Sequence, residues 1–363
     1  MAFLSMTIMA ENKHINYFKI ENFKRFESLE VQDIGQFNLI VGDNNVGKTC
    51  LLESLLFDEE NYYEYLSNLI SSLELSRKVD IFKGNEFDSI NVLNFFSKIK
   101  ESPIKLEFRY DGLSTTFLQL RTVNKSDLTS EDINKLGAKN LIHQSANYLV
   151  EFDNSINKTL IYTSIHKEPN LYENYYPFTH FGLSYQDDLI GFFSKISLRS
   201  SNYNFLIEEL KQFIPELKSI EVNNAIIKNM PILIVRENTI EDVKPISFYG
   251  DGLNKFFRYL LEIILCEGKR LMIDEIDTGI HYSRMKQNFK SLISLAIRNN
   301  VQLFATTHSK ECLQYYKEAL EELGLQEKAR VIRLVEHKDK NVKAYTYNFE
   351  QFEQSLDNEN EIR

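Results

Sequence analysis

A glycine-bounded loop near the start of the chain sets the strictest limit on its fold. Residues 42–49 read GDNNVGKT and fit the spacing G-x-x-x-x-G-K-[ST]. The apolar run 37–41 precedes the loop, and leucines at helical spacing follow it between residues 48 and 57. The expected order is strand, phosphate-binding turn and helix, in which backbone N–H groups and the helix start face a phosphate. This order predicts an α/β protein with a P-loop nucleotide site.

The side chains at the end of this loop have distinct chemical roles. We expect the Lys48 ammonium to bind the β- and γ-phosphates of a nucleotide and the Thr49 hydroxyl to bind Mg²⁺. Cys50 lies in the first helical turn, where the helix dipole lowers a thiol pKa, but the sequence shows no partner that would make it a nucleophile, so we interpret it as packing. The predicted nucleotide-binding residues of the loop are Gly42, Asn44, Asn45, Gly47, Lys48, Thr49 and Cys50.

A second motif, LMIDE at 271–275, is a short apolar strand that ends in two carboxylates. In α/β sheets the carboxyl ends of the strands border the crevice where ligands bind. Asp274 is therefore a candidate Mg²⁺ ligand together with Thr49, and Glu275 is a candidate to orient or deprotonate the attacking water. Two acids at a strand end are common on their own, so this interpretation depends on the phosphate loop.

A third motif, LFATTHS at 303–309, is another strand end and carries hydroxyls and a histidine. His308 can donate a hydrogen bond to the γ-phosphate. An isolated histidine is more often structural, so this interpretation depends on the two motifs above. The predicted catalytic residues are Lys48, Glu275 and His308, and the predicted metal ligands are Thr49 and Asp274.

After Pro231, short apolar strands alternate with helical patterns. We predict strands at 232–235, 271–273, 301–305 and 330–334, and helices at 253–265, 282–297 and 309–323. Such alternation indicates a parallel sheet covered by helices. We expect the strand before the phosphate loop to belong to the same sheet, because the nucleotide chemistry needs both parts of the chain.

The middle of the chain has a different pattern. Alternating residues around Asp111-Gly112 predict a β-hairpin over 104–123, a second hairpin is predicted over 148–165, and a helix over 202–213. We therefore expect an insertion with antiparallel strands and helices. The predicted division is 15–57 and 231–350 for the two parts of the nucleotide-binding domain, 58–230 for the insertion and 351–363 for a polar tail.

Composition narrows the class of protein further. The chain has 363 residues, of which 43% are hydrophobic and 26% charged, as in an ordinary folded protein. The formal net charge of -10 repels nucleic acid on average, so binding it would need a local basic patch. The three cysteines are far apart, the N-terminus lacks a basic leader pattern, and no apolar stretch approaches the ~20 residues that span a bilayer. We expect a cytoplasmic protein without a membrane partner.

Four segments together resemble the ABC-type ATPase heads of the OLD (overcoming lysogenization defect) class, AAA-like ATP-binding proteins often found beside bacterial defence genes. They are 20–26 (IENFKRF), 38–52 around the phosphate loop, 249–253 (YGDGL) and 271–309, of which the last is the most specific. The resemblance implies an ABC-type head with a mixed sheet that binds ATP and Mg²⁺. It covers both ends of the chain, and the middle matches only as an insertion of hairpins and helices.

The resemblance also implies two copies arranged head to tail, with ATP between the phosphate loop of one copy and a signature loop of the other. Residues 249–253 match that signature loop, so Gly250, Asp251 and Gly252 are predicted to bind nucleotide. Gly250 stands where transporter ATPases have the serine of this loop. The alternative donors to the γ-phosphate of the other copy are Ser247, Lys255 and Arg258.

Two other family positions have weaker matches in this chain. His281 lies near the place of the aspartate that follows the acidic pair in transporter ATPases. The glutamine loop has three candidates, Gln119, Gln144 and Gln186, each of which can equally be an ordinary surface residue.

The leading functional hypothesis is an ATPase that forms a homodimer or a higher homo-oligomer through its ATP sites and controls a separate effector, a nuclease or toxin, in anti-phage defence. OLD proteins with a nuclease carry it as a C-terminal Toprim domain, and we expect too few residues after the last predicted strand to form one. One alternative is a recombination ATPase similar to RecF, which the acidic composition disfavours. Another is an ATP-binding scaffold or sensor in which hydrolysis is incidental.

Overall fold

The computed structural model describes residues 14–57, 65, 68–72, 92–100, 102–110, 113, 115–122, 148–154, 158–163, 177–183, 188–224, 231–239 and 241–357. Over 148–154 and 158–163 the description is of the backbone. The strands are β1 Ile15–Phe23, β2 Phe26–Val31, β3 Phe37–Gly42, β4 Ile104–Tyr110, β5 Thr116–Thr122, β6 Tyr148–Asn154, β7 Lys158–Thr163, β8 Phe178–Thr179, β9 Leu217–Asn223, β10 Ile232–Glu237, β11 Lys244–Pro245, β12 Arg270–Ile273, β13 Gln302–Thr306, β14 Ala329–Glu336 and β15 Val342–Tyr347.

The α-helices in these ranges are α1 Lys48–Ser54, α2 Asp188–Ser197, α3 Ser200–Leu210, α4 Asp251–Leu265, α5 Tyr282–Arg298, α6 Lys310–Leu323 and α7 Phe349–Asp357. Short 3-10 helices cover Val92–Phe95, Ile246–Tyr249 and Gln326–Lys328. In the described ranges, no helix is long and apolar enough to cross a membrane.

The central sheet has the strand order β15-β14-β3-β13-β12-β8. All neighbouring strands run parallel except β14 and β15. The strand before the phosphate loop thus lies between strands from the last third of the chain, as expected. The prediction of an α/β P-loop fold with a mixed sheet is confirmed, while the domain boundaries stay a prediction.

Both faces of the central sheet are covered, which explains its uninterrupted apolar runs. Side chains alternate between the two faces of a strand. In β3, Leu39 packs into the core formed with α2 to α6, and Ile40 packs into a second core that includes α1 and the antiparallel sheet. Met272 and Phe304 join Ile40 in this second core. A strand covered on both sides needs apolar residues at every position, which is the pattern of buried parallel strands.

The second core lies beneath an antiparallel sheet with the order β2-β1-β4-β5-β6-β7. The two predicted hairpins are its pairs β4–β5 and β6–β7. Strand β2 was not predicted, because its exposed glutamates interrupt the apolar run from which strands were identified. Its buried residues Phe26, Leu29 and Val31 belong to the same core as Phe18 of β1.

The strand predicted at 232–235 is present as β10, but its place in the parallel sheet was wrong. β10 pairs antiparallel with β9 and β11 in a separate three-stranded sheet. Leu233 and Val235 of β10 enter the core of the helical layer. A short apolar run shows that a strand is buried, but it does not specify which strand it pairs with.

The end of the described chain is more ordered than the sequence suggested. Strand β15 follows the last predicted strand and pairs antiparallel with β14. Helix α7 extends to Asp357 and buries Phe352 in the core of the helical layer, so residues 351–357 of the predicted polar tail are helical. Its apolar residues at helical spacing explain the helix.

Candidate active site

The phosphate loop leaves the carboxyl end of β3 and leads into α1. Gly47 is the residue before α1 and has φ 113°, a left-handed value that favours glycine. A Cβ at Gly47 would lie 2.8 Å from the ring of Phe26, the first residue of β2. The loop therefore depends on Gly47 for both its backbone conformation and its close contact with the antiparallel sheet.

The Lys48 side chain folds back into the phosphate loop. Its Nζ donates hydrogen bonds to the carbonyl oxygens of Gly42 at 2.7 Å and Asp43 at 2.9 Å. The side chain is 6% exposed, and this burial lowers the pKa of the ammonium group. Charged phosphate oxygens are stronger acceptors than carbonyl groups, so the loop is suited to present this ammonium to a phosphate.

Thr49 and Asp274 meet at the base of the loop, as the sequence predicted. The Thr49 hydroxyl lies 3.2 Å and 3.0 Å from the two carboxylate oxygens of Asp274. Asp274 is 5% exposed, and burial raises the pKa of its carboxyl group. Thr306, at the end of β13, donates a hydrogen bond to the same carboxylate at 2.7 Å. Hydroxyl and carboxylate oxygens are the ligands that Mg²⁺ prefers, so this pair fits a magnesium ion.

Glu275 has a constrained position directly after β12. Its backbone has φ 51°, a left-handed conformation that costs energy in a residue with a side chain. The Glu275 N–H donates to the Thr306 hydroxyl at 2.8 Å, and the Thr278 hydroxyl donates to the Glu275 carboxylate at 3.0 Å. Both the backbone and the carboxylate of Glu275 are thus fixed by threonines.

His308 follows β13 and faces the same site. Its Nδ1 lies 3.4 Å from Lys48 Nζ. Partial burial, followed by the charge of Lys48, lowers the pKa of the imidazole. The preceding residue, Thr307, donates a hydrogen bond to Asp277 at 2.7 Å. The structure therefore brings the three predicted motifs together at one edge of the central sheet.

The loop at 249–253 lies beside the loop that carries Glu275. Gly250 precedes α4 with φ 87°, and Asp251 is the first residue of the helix. Gly252 approaches Gly279 so closely that a Cβ at Gly252 would lie 2.8 Å from the Gly279 carbonyl oxygen. The predicted signature residues thus lie next to the loop that follows Glu275.

Among the three alternative donors of the signature region, the structure separates one from the others. Ser247 is exposed. Arg258 is 1% exposed and forms ion pairs with Asp188 and Glu262 of its own chain. Lys255 is 3% exposed and donates to a carbonyl group of its own chain. Of these three residues, Ser247 is the one that is exposed on the surface.

The remaining sequence candidates have varied environments. Burial raises the pKa of the Cys50 thiol, so the lowering expected from the helix dipole is wrong and the interpretation as packing stands. His281 caps α5 by accepting from the Ser283 N–H at 3.3 Å. Gln119 lies on β5 of the antiparallel sheet, and Gln144 and Gln186 lie outside the described residues.

Sequence analysis assigned no role to Thr306 or Thr278 in this site, and it considered Lys255 only as a donor to a second copy. Thr306 and Thr278 contact the two acidic residues directly, and Lys255 lies behind them. The hydroxyl pair before His308 was the one available signal. This pair of hydroxyls did not indicate its partners, because Thr306 is far in sequence from Asp274 and Glu275.

The fold and the site define a P-loop ATPase, and comparison with known proteins agrees. A family model described as "AAA domain, putative AbiEii toxin, Type IV TA system" matches residues 37–313. The chain belongs to this family, and it is an ATPase of the AAA type. The match does not distinguish the OLD class within such ATPases, so that finer resemblance stays a prediction.

Relatives extend over nearly the whole chain. A protein of Helicobacter pylori (strain ATCC 700392 / 26695), named ATP/GTP phosphatase, is 25% identical over 385 residues, which cover 96% of this chain and 99% of the relative. An Smc head bound to the C-winged helix domain of ScpA has a TM-score of 0.54 at 10% identity, covering 93% of this chain and 99% of that chain. An Smc head with an extended coiled coil, bound to a C-terminal domain of ScpA derived from Pyrococcus furiosus, has a TM-score of 0.50 at 11% identity, covering 95% and 99%. These structures share the fold of the ATPase head.

Proposed function

We propose that this site hydrolyses Mg-ATP, with the roles that the sequence suggested. Lys48 binds the β- and γ-phosphates, and Thr49 and Asp274 hold the metal. The observation that carries the proposal is the contact of the Thr49 hydroxyl with both carboxylate oxygens of Asp274. The Lys48 side chain is buried in the same loop. Mg²⁺, when bound, neutralises phosphate charge. The loop residues Gly42, Asn44, Asn45 and Gly47 surround the phosphates with backbone N–H groups.

In this proposal Glu275 acts on the attacking water. A carboxylate can orient a water molecule and accept its proton if it is held at hydrogen-bond distance. The contacts of Glu275 with Thr306 and Thr278 restrict its position in this way. His308 donates a hydrogen bond to the γ-phosphate, where negative charge accumulates during transfer. The lowered pKa of His308 favours a neutral ring, which retains one N–H donor.

We also propose that two copies, or a larger ring, assemble through the ATP sites. Gly250, Asp251 and Gly252 of one copy then contact the nucleotide on the phosphate loop of the other, and exposed Ser247 is the added hydroxyl donor. Support comes from the position of the signature loop beside the catalytic loop and from the fold shared with Smc heads. ATP binding closes this assembly and hydrolysis opens it.

The partner that we propose is a separate effector protein, a nuclease or toxin, controlled by this opening and closing in anti-phage defence. The family description includes a putative toxin system, which supports the direction of this proposal. The residues between 58 and 230, which separate the two parts of the ATPase head, are the proposed contact for the effector.

The first experiment measures ATP hydrolysis and molar mass in solution for the Glu275→Gln variant. Loss of the water-orienting carboxylate should lower turnover by about 10²-fold while ATP binding persists. The trapped ATP state should then at least double the molar mass measured by light scattering. Glu267→Gln, an exposed acid paired with Arg199, is the control and should change neither quantity. Unchanged turnover in Glu275→Gln would show that another group activates the water.

The second experiment isolates tagged Glu275→Gln protein from its native cells with Mg-ATP and identifies the bound chains by mass spectrometry. A nuclease or toxin supports the proposed effector. Recombination proteins or DNA support the alternative of a RecF-like ATPase. ATP-dependent assembly in a wild-type chain with negligible turnover supports the scaffold alternative.

A further inference from the structure

Helix α4 carries a buried lysine behind the catalytic loop. Lys255 lies one turn after Asp251 and is 3% exposed. Its Nζ donates a hydrogen bond of 2.8 Å to the Phe181 carbonyl oxygen, in the segment after β8. A Cβ at Gly279 would lie 3.5 Å and 3.6 Å from the Cδ and Cε of Lys255. The side chain therefore crosses the contact between α4 and the loop that follows Glu275.

The charges around Lys255 come from that same loop and from the start of α4. Burial lowers the pKa of Lys255, and the negative charges of Asp251, Glu275 and Asp277 act in the opposite direction. Within the described part of the chain, none of these carboxylates forms a direct ion pair with the ammonium group. The Lys255 ammonium therefore interacts with these three carboxylates by charge without contacting them. Its direct hydrogen bond goes to the Phe181 carbonyl oxygen.

This arrangement has an energetic consequence for the acids. A buried ammonium group is costly unless negative charge compensates for it. In turn, Lys255 offsets the mutual repulsion of Glu275 and Asp277, which lie on one short loop. Gly252 lies so close to Gly279 that an added Cβ would be 2.8 Å from the Gly279 carbonyl oxygen, so α4 and the loop are packed against each other here. Lys255 therefore links the signature helix, the catalytic loop and the segment after β8.

We propose that Lys255 is a positioning residue that holds Glu275 in its working position from within the same chain. The inference rests on the proposed role of Glu275. It adds that Lys255 holds the loop that follows Glu275 in place. It assigns Lys255 a role different from that of a donor to the γ-phosphate of a second copy. The 3% exposure of the side chain and its contact with Phe181 support a role within its own chain.

The test compares Lys255→Met and Lys255→Arg in wild-type and Glu275→Gln backgrounds. In the wild-type background, Lys255→Met should lower kcat about tenfold and change the KM for ATP and the Kd for a fluorescent ATP analogue less than about twofold. Lys255→Arg keeps the charge and should recover much of kcat. In the Glu275→Gln background, Lys255→Met should change the residual rate less than about twofold, because a residue that acts through Glu275 has little left to affect.

The control is Lys290→Met, which removes a lysine that pairs with Glu322 on the helical surface and should leave kcat unchanged. Thermal unfolding of each variant shows whether it folds. A variant of Lys255 that unfolds at assay temperature is replaced by Lys255→Gln, which keeps a donor for the Phe181 carbonyl. A Lys255→Met chain with wild-type kcat, or a similar loss of rate in both backgrounds, overturns the proposal.

The outcomes also separate this inference from the proposed function. If Glu275→Gln keeps wild-type turnover, the proposed base is wrong and the positioning role falls with it. If Glu275→Gln loses turnover and Lys255→Met does not, the base stands and only the role of Lys255 fails. If Lys255→Met abolishes ATP-dependent assembly and weakens ATP binding, Lys255 contacts the nucleotide of a second copy instead.

Discussion

At the scale of single residues, hydrogen bonds from neighbouring threonines stabilise the strained backbone and the carboxylate of Glu275. Its left-handed φ of 51° is an unusual conformation for a residue with a long side chain. Thr306 is fully buried, accepts from the Glu275 N–H and donates to Asp274. One hydroxyl therefore sets the relative positions of the proposed metal ligand and the proposed base. Strain of this kind persists where surrounding contacts determine the conformation.

Thr278 provides a direct test of how the Glu275 carboxylate is held. Thr278→Val removes the hydroxyl that donates to the carboxylate but keeps the branched shape. We expect kcat to fall about three- to tenfold with little change in KM, because a hydrogen bond of roughly 1 kcal/mol is lost from the oriented state. Thr278→Ser keeps the hydroxyl and should retain most of the wild-type kcat. Equal rates for the valine and wild-type proteins would contradict this role.

Thr306 should matter for stability as well as for rate. Thr306→Val removes the acceptor of the partly buried Glu275 N–H and one of the donors to the buried Asp274 carboxylate. We expect the free energy of unfolding to fall by about 1–3 kcal/mol, measured by denaturant titration. Thr346→Val, which changes an exposed threonine bonded to the Gln32 carbonyl, serves as the comparison and should cost less. A smaller loss at Thr306 than at Thr346 would show that the two contacts are unimportant to folding.

At the scale of elements, the start of α4 and the loop after Glu275 form one packed unit. Helix α4 is buried over most of its length, from Leu253 to Ile264. Its first turn contacts the loop that follows Glu275 at Gly252 and Gly279, while its middle holds Arg258 in ion pairs with Asp188 and Glu262. The Glu262 carboxylate in turn accepts a hydrogen bond from Thr179 of β8. The helix therefore connects the predicted signature loop with the edge strand of the central sheet.

Gly252→Ala tests this contact between elements. The added Cβ would lie 2.8 Å from the Gly279 carbonyl oxygen, and backbone cannot move away as a flexible side chain does. We expect a loss of stability of about 1–3 kcal/mol and a lower kcat as the loop shifts. The control is Gly191→Ala in α2, where a Cβ meets no atom within 4 Å. It should be neutral or stabilising by about 0.4–1 kcal/mol, and equal effects of the two changes would argue against the close contact.

At the scale of the whole molecule, a buried polar cluster lies between the two sheets. Glu53 of α1 pairs with Lys24 from the β1–β2 turn and accepts a hydrogen bond from Ser72. The Ser72 hydroxyl lies 3.5 Å from the imidazole of His180. The cluster joins the antiparallel sheet, α1 and the segment after β8. Lys24 and Glu53 already compensate each other in this cluster. A proton on the buried His180 would add a positive charge beside Lys24, so protonation of His180 should destabilise the folded chain.

This cluster predicts a pH dependence of stability. His180 is 5% exposed, and burial together with the charge of Lys24 lowers its pKa from 6.5 to about 4. Between these values the unfolded chain binds a proton that the folded chain does not, so stability falls as pH decreases from 6.5 towards 4, by at most about 3 kcal/mol. His180→Gln should flatten this part of the curve of unfolding free energy against pH. His337→Gln, at a surface histidine bonded to Tyr345, should leave the slope as in the wild type.

Much of the fold and of the proposed nucleotide site could be predicted because each piece is encoded by neighbouring residues. The phosphate loop, the strand that ends in Asp274 and Glu275, and the strand that leads to His308 are each a few residues long. Their meeting at one sheet edge follows from a general property of parallel strands, whose carboxyl ends share an edge. Strand β10 shows the limit of such reasoning, since its apolar run fixed its burial and not its partners.

The sequence alone determined that this chain has a P-loop, an α/β sheet and acids at two strand ends, because spacing and periodicity along the chain encode these features. Only the tertiary structure decided that the Thr306 hydroxyl accepts from the Glu275 N–H, that Gly252 meets Gly279, and that Lys255 is buried beside this contact. These contacts join residues far apart in sequence, and a single side chain carries no periodic signal. Their partners are therefore set by packing, where the burial of polar and charged groups requires each to be compensated.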